Sequence, residues 1–596
     1  MNMQTSPART LLARADRLTR QGDHLGAEGL FRAVLARFPG NRRARAGLDA
    51  VTAPIPGAAL PAKDLGPIVA LFQSGQFREA LTRATELEQR APGNVAVLEV
   101  QAAALRRLGR PTEAIASYDR ALQTSDTAVL WAGKGAALLE AGRLNRAAAA
   151  LGRATALAPE TPEAWINLAR CQLDMGKPSR AMASIDRALA TDPVPRQALV
   201  LRGRILIALG RVQDARATLQ QALHGDAEDA AALNELAILA RATGDRAGAI
   251  GHYTRALDLL PASATLHRNL SEVVRYTDDT PQIVTMQRLL DRGDLPDGDR
   301  AQLHFALFNA FDQLDQTTCA FDHLMQGNAL RKAGLRYDID RDAGLFDWLK
   351  TLKLPQAPMG APAVRPIFVT GLPRSGTTLA EHLLAQGADV HPAGELPVVQ
   401  TAVAPVLRSL HAQMRRHLDP EEMIALQTAL RQGLADYAQG HGTVIDKMPL
   451  NFRWIGLIRA ALPEARIVVL RRAPMAVGWS LYRQCFGSGG NGFAYDLQDI
   501  AKYQALMHDL VDHWHAEDDE RLIPLDYTDL TAAPDATARV LRAACGISEA
   551  SEGGAQSAIS RPILTASADQ VRGPVETGRD EAWHRYAPQP LPLRDA

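Results

Sequence analysis

In the C-terminal half of the 596-residue chain stands Ile367-Phe-Val-Thr-Gly-Leu-Pro-Arg-Ser-Gly-Thr-Thr-Leu379, a β-rich run that leads into a glycine-bounded loop and then an apolar helix. The spacing Gly371-x4-Gly376-Thr-Thr fits the P-loop frame, in which backbone N–H groups at a helix N-terminus point at phosphate oxygens. An NTPase or kinase needs a lysine directly after the second glycine, where this chain has Thr377. The cation of this loop is Arg374. We therefore expect a phosphate-binding loop that does not serve an ordinary NTPase.

Composition narrows the class of protein. Lys plus Arg and Asp plus Glu number 66 each, and this zero net charge argues against a nucleic-acid coat or a protein of anionic membranes. The four cysteines lie far apart without a CxxC pair, which favours a reducing cytoplasm and predicts neither a zinc site nor any other metal site. No signal peptide and no uncharged apolar run of about 18 residues is present, so we expect a cytoplasmic protein with no membrane partner.

The N-terminal half is repetitive. From Gly75 onward a glycine recurs at steps of 34, 33, 34, 34 and 34 residues, and an alanine stands five positions after each glycine. Only a small side chain at that place lets two antiparallel helices approach closely. This pattern resembles the tetratricopeptide repeat. The glycines are Gly22, Gly75, Gly109, Gly142, Gly176, Gly210 and Gly244, and the alanines are Ala27, Ala80, Ala114, Ala147, Ala181, Ala215 and Ala249.

The repeats predict a helical solenoid whose concave face binds a protein or peptide. The alternative is that the array only acts as a scaffold or dimerises the enzyme, so a homodimer is possible. A degenerate helix pair over Leu303 to Lys332, with Asp315 in the place of the turn glycine, is expected to cap the stack. The predicted divisions are a first repeat-like unit at 1–50, an insertion at 51–63, the array at 64–275, capping helices at 276–350, a linker at 351–365 and a second domain at 366–596.

In that second domain, short β-branched runs alternate with helical patterns. This alternation predicts a P-loop-like, doubly wound parallel α/β sheet. Ligands of such sheets bind at the carboxyl ends of the strands. The predicted strands are Pro366 to Thr370, Thr443 to Ile445, Arg466 to Leu470 and Arg521 to Leu525.

Several motifs in a fixed order carry a second resemblance, which covers about Arg365 to Tyr586. The set resembles the sulfotransferase superfamily, and within it the protein-tyrosine sulfotransferase branch and bacterial fusions with tetratricopeptide repeats. The resemblance implies 3′-phosphoadenosine 5′-phosphosulfate as the donor. The motifs are Gly371-Leu-Pro-Arg374-Ser-Gly-Thr-Thr378, Gly394-Glu395, Asp446-Lys447-Met-Pro449, Arg472 with Ser480 eight residues later, and Ser567-Ala-Asp-Gln-Val571.

The residues themselves support two anion sites for that donor. The glycine loop offers backbone donors, hydroxyls and one cation to the 5′-phosphosulfate, from Arg374, Ser375, Gly376, Thr377 and Thr378. Arg472 and Ser480 are expected to converge on a second phosphate, the 3′-phosphate that ATP lacks. The alternative role for Arg472 is that of a strand-end arginine that caps a neighbouring helix. Because Arg471 is adjacent, the residue that contacts the phosphate could also be Arg471. By resemblance, Tyr527 and Arg572 make the adenine-side and 3′-phosphate contacts.

By resemblance, Glu395 is the base that accepts the acceptor proton. It follows His391-Pro-Ala-Gly394, which we predict to be a tight turn, and His391 is the competing base because an imidazole titrates near neutrality. Lys447 and Ser567 are assigned by resemblance to the oxygen that bridges sulfur and phosphorus. The structural alternatives are a helix N-terminal acid for Glu395, an ion pair with a carboxylate for Lys447 and a turn residue for Ser567.

The function predicted from the sequence is transfer of a sulfuryl group to an acceptor hydroxyl, foremost that of a protein tyrosine. A carbohydrate or small-molecule sulfotransferase is one alternative, and an NTP-dependent kinase with a degenerate loop is another. A non-catalytic repeat scaffold with an inactive transferase domain is the alternative outside the enzymes.

Overall fold

A computed structural model describes residues 8–21, 23–52, 62–224, 228–486, 490–516, 519–549 and 579–587. The chain divides into two compact units, Met1–Leu209 and Gly210–Ala596. None of the helices within the described ranges is both long and apolar enough to cross a bilayer.

The first unit is built of antiparallel helix pairs. Its helices are α1 Ala8–Arg20, α2 His24–Arg37, α3 Arg42–Thr52, α4 Ala62–Gln73, α5 Phe77–Arg90, α6 Val95–Arg107, α7 Pro111–Leu122, α8 Ala128–Glu140, α9 Leu144–Leu157, α10 Pro162–Asp174, α11 Pro178–Leu189 and α12 Arg196–Ala208.

The repeat pattern explains this architecture. The repeated glycines from Gly75 to Gly244 all have φ between 68° and 85°. In this left-handed region, which commonly ends a helix, glycine avoids the steric strain that a Cβ would cause. The alanines five positions further on, from Ala27 to Ala249, are fully buried. The predicted helical solenoid is therefore confirmed, whereas the turn at Gly22 lies outside the described residues.

The second unit begins with the end of the helical array. Its helices there are α13 Val212–Ala222, α14 Ala230–Thr243, α15 Arg246–Leu259, α16 Ala264–Ser271, α17 Pro281–Asp291, α18 Asp297–Gln313, α19 Thr317–Gly334 and α20 Ile339–Lys350. Asp315 has φ 59° between α18 and α19, so it takes the place of the turn glycine as predicted.

The α/β part follows in the same unit. Its strands are β1 Arg365–Gly371, β2 Val390–Pro392, β3 Thr443–Asp446, β4 Arg466–Arg471 and β5 Leu522–Asp526. Its α-helices are α21 Thr377–Leu384, α22 Val398–Ala412, α23 Pro420–Ala435, α24 Ile455–Ala461, α25 Pro474–Tyr482, α26 Leu497–His515, α27 Tyr527–Ala532 and α28 Pro534–Ala544. Among the described residues of this part, 3-10 helices span Pro449–Trp454, Gly492–Tyr495 and Arg579–Tyr586.

All five strands are parallel, in the order β2-β3-β1-β4-β5. Alternate residues of β1 enter different cores: Ile367 and Val369 pack with helices α21 and α28, whereas Phe368 packs on the opposite side with a larger cluster. This arrangement confirms the predicted doubly wound sheet. The four predicted strands are present, and β2 is an additional strand.

The helix pair α18 and α19 shares the larger of these cores with the sheet. Phe308 and Phe321 belong to the same buried cluster as Trp479 of α25 and Tyr586. Polar contacts accompany this packing, since the Asn328 amide donates to the Tyr482 carbonyl at 3.0 Å. The end of the helical array and the α/β part therefore fold around one core within this unit.

Candidate functional site

The loop between β1 and α21 requires glycine at both ends. Gly371 has φ 147°, and a Cβ there would lie 2.8 Å from the Leu470 carbonyl oxygen. Gly376 has φ 103°, and its Cβ would lie 2.6 Å from a ring carbon of Tyr527. Gly376 precedes α21, whose first N–H groups have no acceptor within the helix. The loop is therefore a narrow cradle of backbone donors, which fits an anionic phosphate group.

Arg472 lies beside this loop and contacts it directly. Its Nη1 donates to the Arg374 carbonyl oxygen at 2.8 Å, and its guanidinium carbon lies 4.1 Å from the ring centroid of Tyr527. Its Nε donates to Oδ1 of Asp580 at 2.7 Å. Arg374 in turn donates from Nε to the Ser480 hydroxyl at 3.1 Å. Four residues selected from the sequence, Arg374, Arg472, Ser480 and Tyr527, thus form one cluster at the carboxyl edge of the sheet.

The two adjacent arginines after β4 have different partners. Arg471 pairs with Asp512 of α26 at 2.5 Å, and both side chains are exposed. Arg472 is largely buried and faces the loop. Its contacts are a loop carbonyl, an aromatic ring and a carboxylate. The geometry therefore favours Arg472 over Arg471 as the arginine that faces a ligand in this loop.

Lys447 and Glu395 face each other at the neighbouring strand end. The Lys447 ammonium donates to Oε1 of Glu395 at 2.7 Å, and Lys447 is 1% exposed whereas Glu395 is 44% exposed. The backbone N–H of Lys447 also donates to the Gly394 carbonyl at 2.8 Å. The ion pair considered as the alternative for Lys447 is thus present, and its partner is the residue assigned as base.

The turn that carries Glu395 is held by two buried carboxylates. Gly394, with φ 74°, donates its N–H to Oε1 of Glu381 at 2.9 Å. Leu396 donates its N–H to Oδ1 of Asp446 at 3.2 Å, and Asn451 donates to the other oxygen of Asp446 at 3.0 Å. Burial raises the pKa of Asp446 to about 8.

The turn predicted at His391-Pro-Ala-Gly394 is wrong in its first half. His391 belongs to β2 and lies opposite Val444 of β3, so its backbone is extended, and the chain turns only at Gly394. A three-residue edge strand that ends in proline lacks the long β-branched run by which the other strands were found. The His391 ring is buried and stacks on His441, with 5.5 Å between the ring centroids.

The remaining predicted residues differ in their surroundings. The Ser375 hydroxyl donates to the Leu372 carbonyl at 2.7 Å and is buried, so it braces the loop. Thr377 and Thr378 form the buried first turn of α21. Ser567 and Arg572 lie outside the described residues. Across the described ranges, no group of three or more His, Cys, Asp or Glu side chains could hold a metal ion.

Sequence reasoning missed three polar residues of this site. A charged residue inside the otherwise apolar helix α21 is the signal that could have identified Glu381, which is buried. Asn451 lies two residues after the DKMP motif, in the 3-10 helix Pro449–Trp454, and its place close to that motif is the signal that could have identified it. Asp580 lies 108 positions after Arg472, and no local pattern predicts that contact.

Comparison with known proteins identifies two kinds of family domain in the chain. Residues 366–551 match the model of the sulfotransferase family, and residues 68–129, 138–205 and 200–264 match models of the tetratricopeptide repeat. An uncharacterized protein of Aquifex aeolicus is 31% identical over 344 residues, which are 54% of this chain and 44% of that protein. Nodulation protein NoeE of Sinorhizobium fredii is 31% identical over 135 residues, 19% of this chain and 30% of that protein. The chain thus spans less than half the length of either relative.

Among solved structures, similar chains come from a study of pilF of Pseudomonas aeruginosa and from the APC/C hetero-tetramer Cut9-Hcn1. The first is 21% identical with a TM-score of 0.30, and covers 35% of this chain and 94% of that one. The second is 17% identical with a TM-score of 0.35, and covers 54% of this chain and 73% of that one. Scores this low carry no functional comparison. The matches to family models show that the chain carries a sulfotransferase-family domain at residues 366–551, preceded by tetratricopeptide repeats.

Proposed function

We propose that this protein transfers a sulfuryl group from 3′-phosphoadenosine 5′-phosphosulfate to the hydroxyl of a protein or peptide tyrosine. The observation that carries the proposal is the cluster in which Arg472 contacts both the Arg374 carbonyl and the Tyr527 ring beside the glycine loop. This cluster provides a second cationic position next to a phosphate cradle that has no P-loop lysine.

These two anion positions support the proposed donor. The backbone N–H groups before α21 and the Arg374 guanidinium would hold the 5′-phosphosulfate. Arg472 and Ser480 would hold the 3′-phosphate, and Arg472 already pairs with a carboxylate oxygen of Asp580 at 2.7 Å. An arginine that binds one anionic oxygen presents suitable donors for another. ATP has no 3′-phosphate and would leave this second position unused.

The bound donor supplies an electrophilic sulfur atom. Glu395 would take the proton of the acceptor hydroxyl as that oxygen forms its bond to sulfur. The bond from sulfur to the bridging oxygen breaks, and its electron pair leaves on the phosphate. Lys447, whose ammonium lies 2.7 Å from Glu395, would then donate a hydrogen bond toward that oxygen and offset its negative charge. The exposed Glu395 and the buried Lys447 suit an acceptor-facing base and a donor-facing cation.

The tyrosine acceptor rests on the resemblance of the motifs to the protein-tyrosine branch. The repeat array supports it, since a solenoid of this kind usually presents a concave face to a protein or peptide. We propose that the array binds the substrate protein or a partner that delivers it. The four unpaired cysteines support a reducing compartment such as the cytoplasm.

The test is a transfer assay on the full chain with donor labelled in the sulfuryl group. Three acceptor classes are compared at equal concentration: tyrosine peptides, oligosaccharides and small phenols. We expect label on the tyrosine peptides, lost on replacement of the peptide tyrosine by phenylalanine. Preferential labelling of an oligosaccharide or a small phenol would overturn the tyrosine assignment. Phosphate transfer from ATP without sulfuryl transfer would overturn the proposal as a whole.

A further inference from the structure

The backbone on both sides of Glu395 is bonded to side chains that have no role in the chemistry proposed above. The N–H of Gly394 donates to Glu381 at 2.9 Å, and the N–H of Leu396 donates to Asp446 at 3.2 Å. The Gly394 carbonyl accepts from the backbone N–H of Lys447 at 2.8 Å. Three polar backbone groups that flank Glu395 are therefore fixed, whereas its side chain extends from the turn and is half-exposed.

Burying the carboxylates of Glu381 and Asp446 beside this turn costs desolvation free energy. Glu381 and Asp446 are both buried, and a buried carboxylate loses most of its hydration. Burial raises the pKa of Asp446, and the nearby charge of Glu381 adds to this rise. Buried acids with a raised pKa, such as Asp446, concentrate at functional sites.

The two carboxylates come from elements that already carry the site. Glu381 lies on α21, the helix that begins at the glycine loop, and Asp446 ends β3 directly before Lys447. The turn that bears Glu395 is therefore tied to the phosphate loop through one carboxylate and to the lysine strand through the other. The base, the loop and the lysine are held in a fixed mutual geometry.

We propose that Glu381 and Asp446 are positioning residues that fix the backbone on either side of Glu395 and thereby aim its carboxylate at the acceptor hydroxyl. The proposal rests on the proposed function, because Glu395 is the base there. Reaction rates depend steeply on such alignment, and a misplacement of about 1 Å can cost about 100-fold. Both residues are proposed to act through the backbone of this turn.

The experiment uses Glu381→Gln and Glu381→Leu in the full chain. Glutamine keeps an oxygen acceptor for the Gly394 N–H, whereas leucine fills similar volume without an acceptor. We expect the leucine variant to lose about 10- to 100-fold in kcat with KM nearly unchanged, and the glutamine variant to stay within about threefold of wild type. Binding of adenosine 3′,5′-bisphosphate and the thermal unfolding midpoint serve as controls for the fold. Equal kcat in all three proteins, or an equal loss in both variants, would overturn the proposal.

Asp446→Asn tests the other side of the turn. Its amide oxygen can still accept from Leu396, provided that the Asn451 side chain rotates to offer its oxygen to the new amide nitrogen. We expect partial loss of kcat in this variant and full loss in Asp446→Asn combined with Asn451→Leu. A double variant with the kcat of the single one would contradict the role of Asp446.

Hydrogen exchange provides a readout that does not depend on turnover. The amides of Gly394 and Leu396 should exchange slowly in wild type, and Gly394 should exchange at least about tenfold faster in Glu381→Leu if its hydrogen bond is lost. Unchanged exchange in that variant would overturn the positioning role. Protected amides in a wild-type protein that transfers no sulfuryl group would instead overturn the proposed function and leave the backbone contacts intact.

Discussion

Lys447 and Glu395 form an ion pair with 2.7 Å between Nζ and Oε1, in which the lysine is buried and the glutamate reaches solvent. A buried ammonium depends on its partner, because an uncompensated charge in the interior is costly. The exposed side of Glu395 is open to an incoming hydroxyl. One contact therefore links the proposed base, which reaches solvent, to a cation that the fold shields from water.

Glu395→Gln should lower kcat by about 100- to 10,000-fold, the usual contribution of a positioned general base. The amide oxygen can still accept from Lys447, but the buried ammonium loses its compensating charge, so the free energy of unfolding should fall by up to about 3 to 5 kcal/mol. Glu421→Gln removes the same charge at the start of α23 and serves as the matched control. Initial rates with the preferred acceptor measure the effect, and equal rates in the two variants would contradict the assignment of Glu395.

Arg472→Ala should weaken binding of adenosine 3′,5′-bisphosphate by about 10- to 100-fold, as expected for a lost charge-assisted hydrogen bond. Binding of ADP, which lacks the 3′-phosphate, should change much less. Arg471→Ala breaks the exposed pair with Asp512 and should leave both affinities within about twofold.

Asp580→Asn should have the opposite effect on binding at the proposed 3′-phosphate position. Its carboxylate pairs with Arg472 at 2.7 Å and would compete with a phosphate for that guanidinium. We expect the bisphosphate to bind about two- to tenfold more tightly to this variant, because a partly exposed pair contributes about 1 kcal/mol. Isothermal titration calorimetry measures both Arg472→Ala and Asp580→Asn. Weaker binding to Asp580→Asn would show that the carboxylate supports the phosphate position instead of occupying it.

Gly376→Ala should abolish tight binding of the bisphosphate and destabilise the fold by about 1 to 3 kcal/mol, because φ is 103° and the new Cβ would lie 2.6 Å from Tyr527. Gly152→Ala in α9 is the control, since a Cβ there meets no atom within 4 Å. That change should stabilise the protein by up to about 1 kcal/mol. Thermal unfolding compares the two, and a stabilised Gly376→Ala protein would contradict the steric argument.

The stability of the second unit should fall in mild acid because of the buried His304 and its half-buried partner His323. His304 and His323 lie 2.9 Å apart between their Nδ1 atoms, and burial lowers the pKa of His304 from 6.5 to about 4, with His323 and Arg300 adding to this effect. Between those two pH values the unfolded chain binds more protons than the folded one. The free energy of unfolding should therefore rise with pH across this window. The part of it that depends on an uncharged His304 should be lost as pH falls from 6.5 to about 4.

His304→Gln should flatten this dependence between about pH 4 and 6.5, whereas His224→Gln at an exposed position should preserve it. Chemical unfolding at several pH values measures the slope. A wild-type slope that survives in His304→Gln would assign the acid sensitivity to other groups.

Much of the fold follows from local sequence. A glycine that must take positive φ and an alanine that must let two helices touch recur at a fixed period, so the helical array is visible in the chain. Beyond the regular period, the degenerate helix pair over Leu303 to Lys332 still placed Asp315 at the turn, where its φ is 59°. The glycine loop is visible for a related reason, because steric crowding at Gly371 and Gly376 excludes other residues.

The parts that sequence did not predict depend on contacts between distant positions. Strand β2 is three residues long and acquires its conformation from pairing with β3. The contact between Asp580 and Arg472 and those of Glu381 and Asp446 with the turn around Glu395 arise only when separate elements meet at the sheet edge. Polar residues in such places have no characteristic spacing along the chain.

The most direct test of the proposed donor site is a calorimetric titration of the wild-type protein with adenosine 3′,5′-bisphosphate and, under the same conditions, with ATP. We expect the bisphosphate to bind at least about tenfold more tightly, because Arg472 and Ser480 offer hydrogen bonds to a 3′-phosphate that ATP lacks. Equal or tighter binding of ATP would rule out this donor site.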